Sequence, residues 1–155
     1  MRFGQLCRAR FLLVVGLALF AGTSIAQDLE QKRLLSEFIG EVDAIIKLAE
    51  SSASNIPGFA VSTFVKEMGA IRHSLETFVN TGHADPNDLR KIHGEYGLRL
   101  GRHEVFVTLY EKVLLLDDHV HAAKSKADSI HQVEYEILEI ELDIVEVGLE
   151  GVMGG

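Results

Sequence analysis

The sequence predicts an all-α protein: an N-terminal helical hairpin followed by one long or two shorter amphipathic helices, in a small bundle or coiled-coil-like arrangement. Three observations predict it. Apolar residues recur at helical spacing along most of the chain, and turn-forming residues cluster between those stripes. The last stripe also carries many Glu and Leu residues, which favour helix over strand.

The first stripe is Leu35, Phe38, Val42, Ile45 and Ala49, widened by Leu34, Ile39 and Ile46, and it predicts a helix over 29–50. Ser51 to Gly58 reads as a turn, with Pro57 stopping the helix. Phe64, Met68, Ile71, Leu75 and Phe78 form the second stripe, over 60–79, and Asn80-Thr81-Gly82 ends it. These two helices make a hairpin, 29–80, with apolar faces that must meet. A loop follows at 81–88, where Asp85 suits an N-cap and Pro86 a first helical residue. Gly94, Gly97 and Gly101 predict a further loop or hinge.

The third stripe runs Phe106, Leu109, Val113, Leu116, Val120, Ala123, Ala127 and Ile130, and the fourth runs Val133, Ile137, Ile140, Ile144 and Val147. The two are out of phase. Either one helix carries a slip there, or two helices meet at a turn near Ser125 to Ser129, where Ser129 and Gln132 suggest a capping box. The near alternation of residues 134–147 also suits a strand, although the stripe favours a helix. The helical C-terminal part is thus expected over 102–147, with 148–155 a frayed tail.

The N-terminus predicts export. Arg2, Arg8 and Arg10 precede an apolar run, Phe11 to Ala21, and Ser24-Ile25-Ala26 places small residues where a signal peptidase reads. The run is shorter than the ~20 apolar residues of a spanning helix. An uncleaved anchor is the other reading. Cleavage between Ala26 and Gln27 leaves one domain, 27–155, of 129 residues. It removes three of the 15 Lys and Arg and none of the 23 Asp and Glu, taking the formal charge from −8 to −11. The mature chain then lacks cysteine, since Cys7 is the only one, and packing alone must hold it. Strong acidity argues against nucleic acid as a partner, and no stable membrane anchor is expected after cleavage.

Chemistry-bearing motifs are sparse. The chain has no Gly-rich phosphate loop, nucleophile elbow or paired Glu-x-x-His motif, so no enzyme, cofactor or catalytic residue is expected. Histidine alone is in unusual supply. His119, His121, Asp128 and His131 are candidate metal ligands, yet His121 and His131 would stand about 15 Å apart on one continuous helix, too far to share an ion. Glu134, Glu136, Glu139, Glu141 and Glu146 read as a solvated face. Stripes wider than a two-residue seam suggest burial within one bundle, or against another chain, including a second copy through the C-terminal helix.

One resemblance adds to this. Leu29 to Leu34, Glu41 to Ile45, Ile46 to Glu50 and Ile71-Arg72 resemble the two helices of the RAQPRD family. His83-Ala84-Asp85-Pro86-Asn87-Asp88 is similar to its namesake motif, matching at Ala84, Pro86 and Asp88 and departing at His83, Asp85 and Asn87. Gly94-Glu95-Tyr96 is similar to the Gly-Asp-Tyr that follows in the family. The resemblance covers 29–96, and the chain from Gly97 onward departs from it. It implies a signal-peptide-bearing periplasmic protein, accessory to conjugative transfer by integrating elements, with conjugative secretion components as partners. In that setting His83, Asp85, Pro86 and Asp88 form an exposed partner-contact loop. The alternative expectation is a periplasmic metal-binding or stress-responsive helical bundle using the histidines.

Overall fold

The computed structural model describes residues 4–56 and 58–154, with side chains from Ile25 onward. Its elements are α1 (Gly4–Ser52), a 3-10 turn (Ala53–Asn55), α2 (Val61–Thr81), α3 (Pro86–Leu89), α4 (Glu104–Lys124) and α5 (Ser129–Met153). The described residues contain no strand, so 134–147 is helix and the all-α expectation holds. The chain divides into two compact units, Met1–Leu34 and Leu35–Gly155.

The first unit is helical from Gly4 onward. The side chains of the expected leader, Phe11 to Ala21, lie outside the described residues, as does Arg2. Ala26 and Gln27, which flank the expected cleavage bond, are exposed. Among the described residues no helix is long and apolar enough to cross a membrane.

The second unit is a helical bundle. The predicted stripes of α1 and α2 face inward, and the third does as far as Ala123. Leu35, Phe38, Val42, Ile45 and Ala49 of α1, Phe64, Met68, Ile71, Leu75 and Phe78 of α2, and Phe106, Leu109, Val113, Leu116, Val120 and Ala123 of α4 are buried. Ala127 and Ile130 lie beyond the end of α4, and Ile130 is exposed. Polar pairs at the rims fix the register. Arg72 of α2 binds Asp43 of α1 at 2.7 Å, and His119 of α4 lies 3.0 Å from Glu41 of α1. At one end Phe59, Phe64, Tyr96 and Phe106 interlock edge to face, with centroids 4.9 Å apart for Phe59–Phe106 and 5.3 Å for Phe64–Tyr96.

Three expectations for the C-terminal half need correction. The chain breaks into two helices, as one of the two readings had it. However, Asp128 is the N-cap of α5, accepting from the backbone N–H groups of Ile130 and His131, while Gln132 reaches the Ala127 carbonyl instead of closing a capping box at Ser129. The face of α5 is also the other one. Tyr135, Leu138, Leu142, Val145, Leu149 and Val152 are buried, whereas Val133, Ile140 and Val147 are exposed and Ile137 and Ile144 half-buried. Both rows keep the same period, and the buried one carries Tyr and Leu side chains where the outer one carries only Ile and Val. Finally, 148–153 is not a frayed tail. α5 continues to Met153, Leu149 and Val152 are core, and the Leu100 N–H donates to the Val152 carbonyl at 2.8 Å.

Gly148 explains why this last turn is fixed. A Cβ there would stand 2.4 Å from the Gly94 carbonyl oxygen and 2.7 Å from the Gly94 Cα, so the loop backbone lies directly on the helix backbone. Gly94 itself has φ +66. Gly148→Ala is therefore expected to cost about 1–3 kcal/mol by forcing the loop off the helix. Gly151→Ala, three residues along the same helix with no atom within 4 Å, should gain about 0.5–1 kcal/mol from helix propensity. Denaturant unfolding of the two variants checks the contrast.

Candidate functional site: an acid-anchored loop

The loop between α2 and α4 is held by carboxylates from α2 and α5. Gly82, with φ 79, closes α2 by donating its N–H to the Phe78 carbonyl at 2.9 Å. Asp85 then caps α3 as expected, accepting from the Asn87 N–H at 2.9 Å, with Pro86 at the first helical position. That backbone bond holds the Asp85 carboxyl below its ordinary value.

Glu67 on α2 is the strongest anchor. Its buried carboxylate accepts from the His93 N–H (3.0 Å), the Gly94 N–H (3.2 Å) and the Tyr96 hydroxyl (2.6 Å). Burial, reinforced by the bond to Glu67, pushes the Tyr96 phenol well above its usual range. Glu134 on α5 takes the other end of the loop, accepting from the Ala84 N–H at 2.7 Å, with His83 Nδ1 3.0 Å away. Between them sits Asp88, fully buried, with His73 Nδ1 2.5 Å from its Oδ2 and the Lys91 ammonium on its Oδ1. Beside His73, Ser74 donates its hydroxyl to Glu141 Oε1 at 2.8 Å. Burial pushes the Glu141 carboxyl up to about 8. The Ser74 bond opposes that shift, and Asp88 and Asp85 add to it.

The expected contact loop is thus only partly a surface. His83 and Pro86 are exposed and Asp85 half-buried, but Asp88 has no exposed area and is committed to His73 and Lys91. It holds the loop and cannot touch a partner. Nor does the structure gather the histidines expected as metal ligands. His119 pairs with Glu41, His121 with Glu139 at 2.8 Å, and His131 with Asp128 at 2.8 Å while stacking on Phe78. Among the described residues the trio that does converge is His73, Asp85 and Asp88, each offering a ligand atom within 4.8 Å of the others. The His73–Asp88 pair resembles the base and orienter of a hydrolytic triad, but the adjacent hydroxyl, Ser74, is taken by Glu141.

Glu67 and Glu141 left a signal in the sequence. Glu67 falls between Phe64 and Ile71 in the inward stripe, and Glu141 between Leu138 and Val145. A carboxylate at such a position must find donors or stay protonated. The reading of Glu134, Glu139, Glu141 and Glu146 as a solvated face is corrected accordingly. Glu134 holds the Ala84 N–H, Glu139 pairs with His121 and Lys124, and only Glu136 of that group is exposed. Glu141 is buried, and Glu146 is half-buried with one oxygen lacking a protein partner.

Glu146 belongs to an acidic strip between α4 and α5. Burial, then Asp117, Asp143, Glu150 and Asp118, pushes it up to about 7. Burial, Asp143, Glu139 and Asp118 push Asp117 to about 6, with His121 opposing.

No family model, curated protein or solved structure matches this chain. The fold and the site define it as a helical bundle protein with a carboxylate-anchored loop.

Two predictions follow from these anchors. Glu67→Ala strands three donors and should cost about 3 kcal/mol or more, against about 1–2 kcal/mol for Tyr96→Phe. Amide exchange at His93 and Gly94 should rise in the first variant and much less in the second. For the acidic strip, both folded pKa values lie above the unfolded ones, so the native state holds these protons more tightly. Their stabilising effect is complete below about pH 4 and is lost as pH rises through 6 and 7. The thermal midpoint should therefore fall between pH 5 and pH 8, and Asp117→Asn should flatten that fall. A profile unchanged by the substitution would contradict the assignment.

Proposed function

We propose that this is a non-enzymatic helical protein that works by protein contact, receiving a partner helix on the outer face of α5. One observation carries the reading. Ile130, Val133, Ile137, Ile140, Ile144 and Val147 form an unbroken heptad row of β-branched residues. The row turns away from the bundle core, and Ile130, Val133 and Val147 are 66%, 60% and 67% exposed. The row is about 26 Å long. Scattered exposed apolar residues are ordinary in a folded protein, but six in register on one face are a docking surface.

Charge selects the partner. Glu136 and Asp143 border the row, and the chain carries a formal charge of −8. A second copy laid on this face would bring acid against acid, whereas an amphipathic helix with Lys or Arg beside its apolar positions would be attracted. At the C-terminal end Val147 also lines an open groove of about 520 Å³ with Gly94, Tyr96, Gly148 and Gly151. The resemblance of residues 29–96 to the RAQPRD family supports an exported, periplasmic setting and a partner within a conjugative secretion apparatus.

The test is site-specific photocrosslinking from Val133 and Val147 in the native host, together with transfer frequency. Val133→Glu with Ile140→Glu should leave the thermal midpoint nearly unchanged, because both positions are exposed. The pair should weaken partner binding by about 2 kcal/mol or more, roughly thirtyfold, and abolish the crosslink. If no crosslink forms from either position, the contact reading fails. If a crosslink forms but transfer is unaffected, the contact stands and the conjugative role falls.

A further inference from the structure

His73, Asp85 and Asp88 are brought together by three separate local devices. His73 projects from the middle of α2, Asp85 is the N-cap of α3, and Asp88 sits one turn into α3 beneath it. Their ligand atoms all lie within 4.8 Å of one another. Each aspartate spends one oxygen locally. Asp85 Oδ1 accepts from the Asn87 backbone and side chain, and Asp88 Oδ1 accepts from Lys91. Asp88 Oδ2 is then presented to His73, on a side chain with no exposed area and therefore little freedom to turn away.

Charge balance around the trio is uneven. Glu141 is fully buried, its Oε1 is bound by the residue next to His73, and its Oε2 has no protein partner. The charges of both aspartates and of Lys91 reach it. Within the trio itself, two carboxylates thus share the Lys91 ammonium and the His73 imidazole. A fully buried carboxylate such as Asp88 is stabilised by a cation.

We propose that His73, Asp85 and Asp88 bind a divalent transition-metal cation of the zinc type. An imidazole nitrogen with two carboxylate oxygens suits Zn²⁺ better than Mg²⁺ or Ca²⁺, which favour all-oxygen sets. Tetrahedral zinc with bonds of 2.0–2.1 Å sets neighbouring ligand atoms roughly 3.3 Å apart. The 2.5 Å between His73 Nδ1 and Asp88 Oδ2 must then open by under about 1 Å. His73 can supply that movement, because its side chain is 56% exposed, and the same exposure gives the ion its way in. Water completes the coordination. The proposal stands apart from the α5 docking surface and involves none of the histidines of α4 and α5.

The test uses the full-length protein, stripped with chelator and titrated with Zn²⁺ against a chromogenic competitor, with the thermal midpoint followed in parallel. One equivalent should bind and raise the midpoint. His73→Ala should weaken binding at least ~100-fold and abolish the zinc-dependent rise, since loss of a direct ligand exceeds the 10–100-fold typical of supporting residues. Asp85→Asn preserves the helix cap while removing the carboxylate, and it should weaken binding comparably. The combined variant His119→Ala, His121→Ala and His131→Ala should bind as the wild type does. Circular dichroism confirms that each variant is folded. If the wild type takes up no zinc at micromolar concentration, or if His73→Ala and Asp85→Asn bind it unchanged, the site is overturned.

Discussion

A buried carboxylate decides whether this bundle has a structured loop or a loose one. Glu67 points from the inward stripe of α2 into the space beneath residues 93–96 and accepts two backbone N–H groups and a phenol. Loops usually lie over water because their backbone donors need partners. Here a single anion supplies them, and charge-assisted bonds of this kind are about twice as strong as neutral ones. With its donors satisfied, the loop can lie against α5, where Gly94 meets Gly148 with no side chain between the two backbones. Tyr96 in turn closes the aromatic cluster with Phe59 and Phe64. Anchor, close approach and cluster depend on one another.

The same acidity works against the structure elsewhere. Asp117 and Glu146 each keep one oxygen without a protein partner where α4 meets α5, among Asp118, Asp143 and Glu150. Nearby, Lys124 bridges Glu136 and Glu139, and His121 takes Glu139 as well. One end of this helix pair is thus electrostatically satisfied and the other is under tension. A fixed basic partner or a bound cation relieves such tension, which gives an acidic bundle a general reason to recruit positive charge.

α5 divides its work between two faces. Its Leu and Tyr row fills the core, with Tyr135 packed edge to face on Phe78 at 5.2 Å. Its Ile and Val row faces out, bordered by carboxylates. β-Branched side chains are stiff about χ1, so an exposed row of them loses little entropy when covered. The face suits a contact surface for that reason, although it contributes nothing to the bundle that bears it.

The sequence by itself determined the helical class and the Asp85-Pro86 cap, and its periodicity determined the inward faces of α1, α2 and α4, because each of those helices has one dominant apolar stripe. It also left two helices open beyond residue 104, and the structure breaks the chain at 125–128. Only the tertiary structure decided the rest. On α5 two stripes share one period, and packing against the other helices, with Tyr135 set on Phe78, chose between them. The convergence of His73 with Asp85 and Asp88 was hidden because α2 contributes one member and α3 with its cap the others, joined across a turn that Glu134 of α5 holds through the Ala84 N–H. A one-dimensional pattern reports which residues avoid water. It carries no record of which buried charges meet, since their distances are set by packing between elements far apart in the chain.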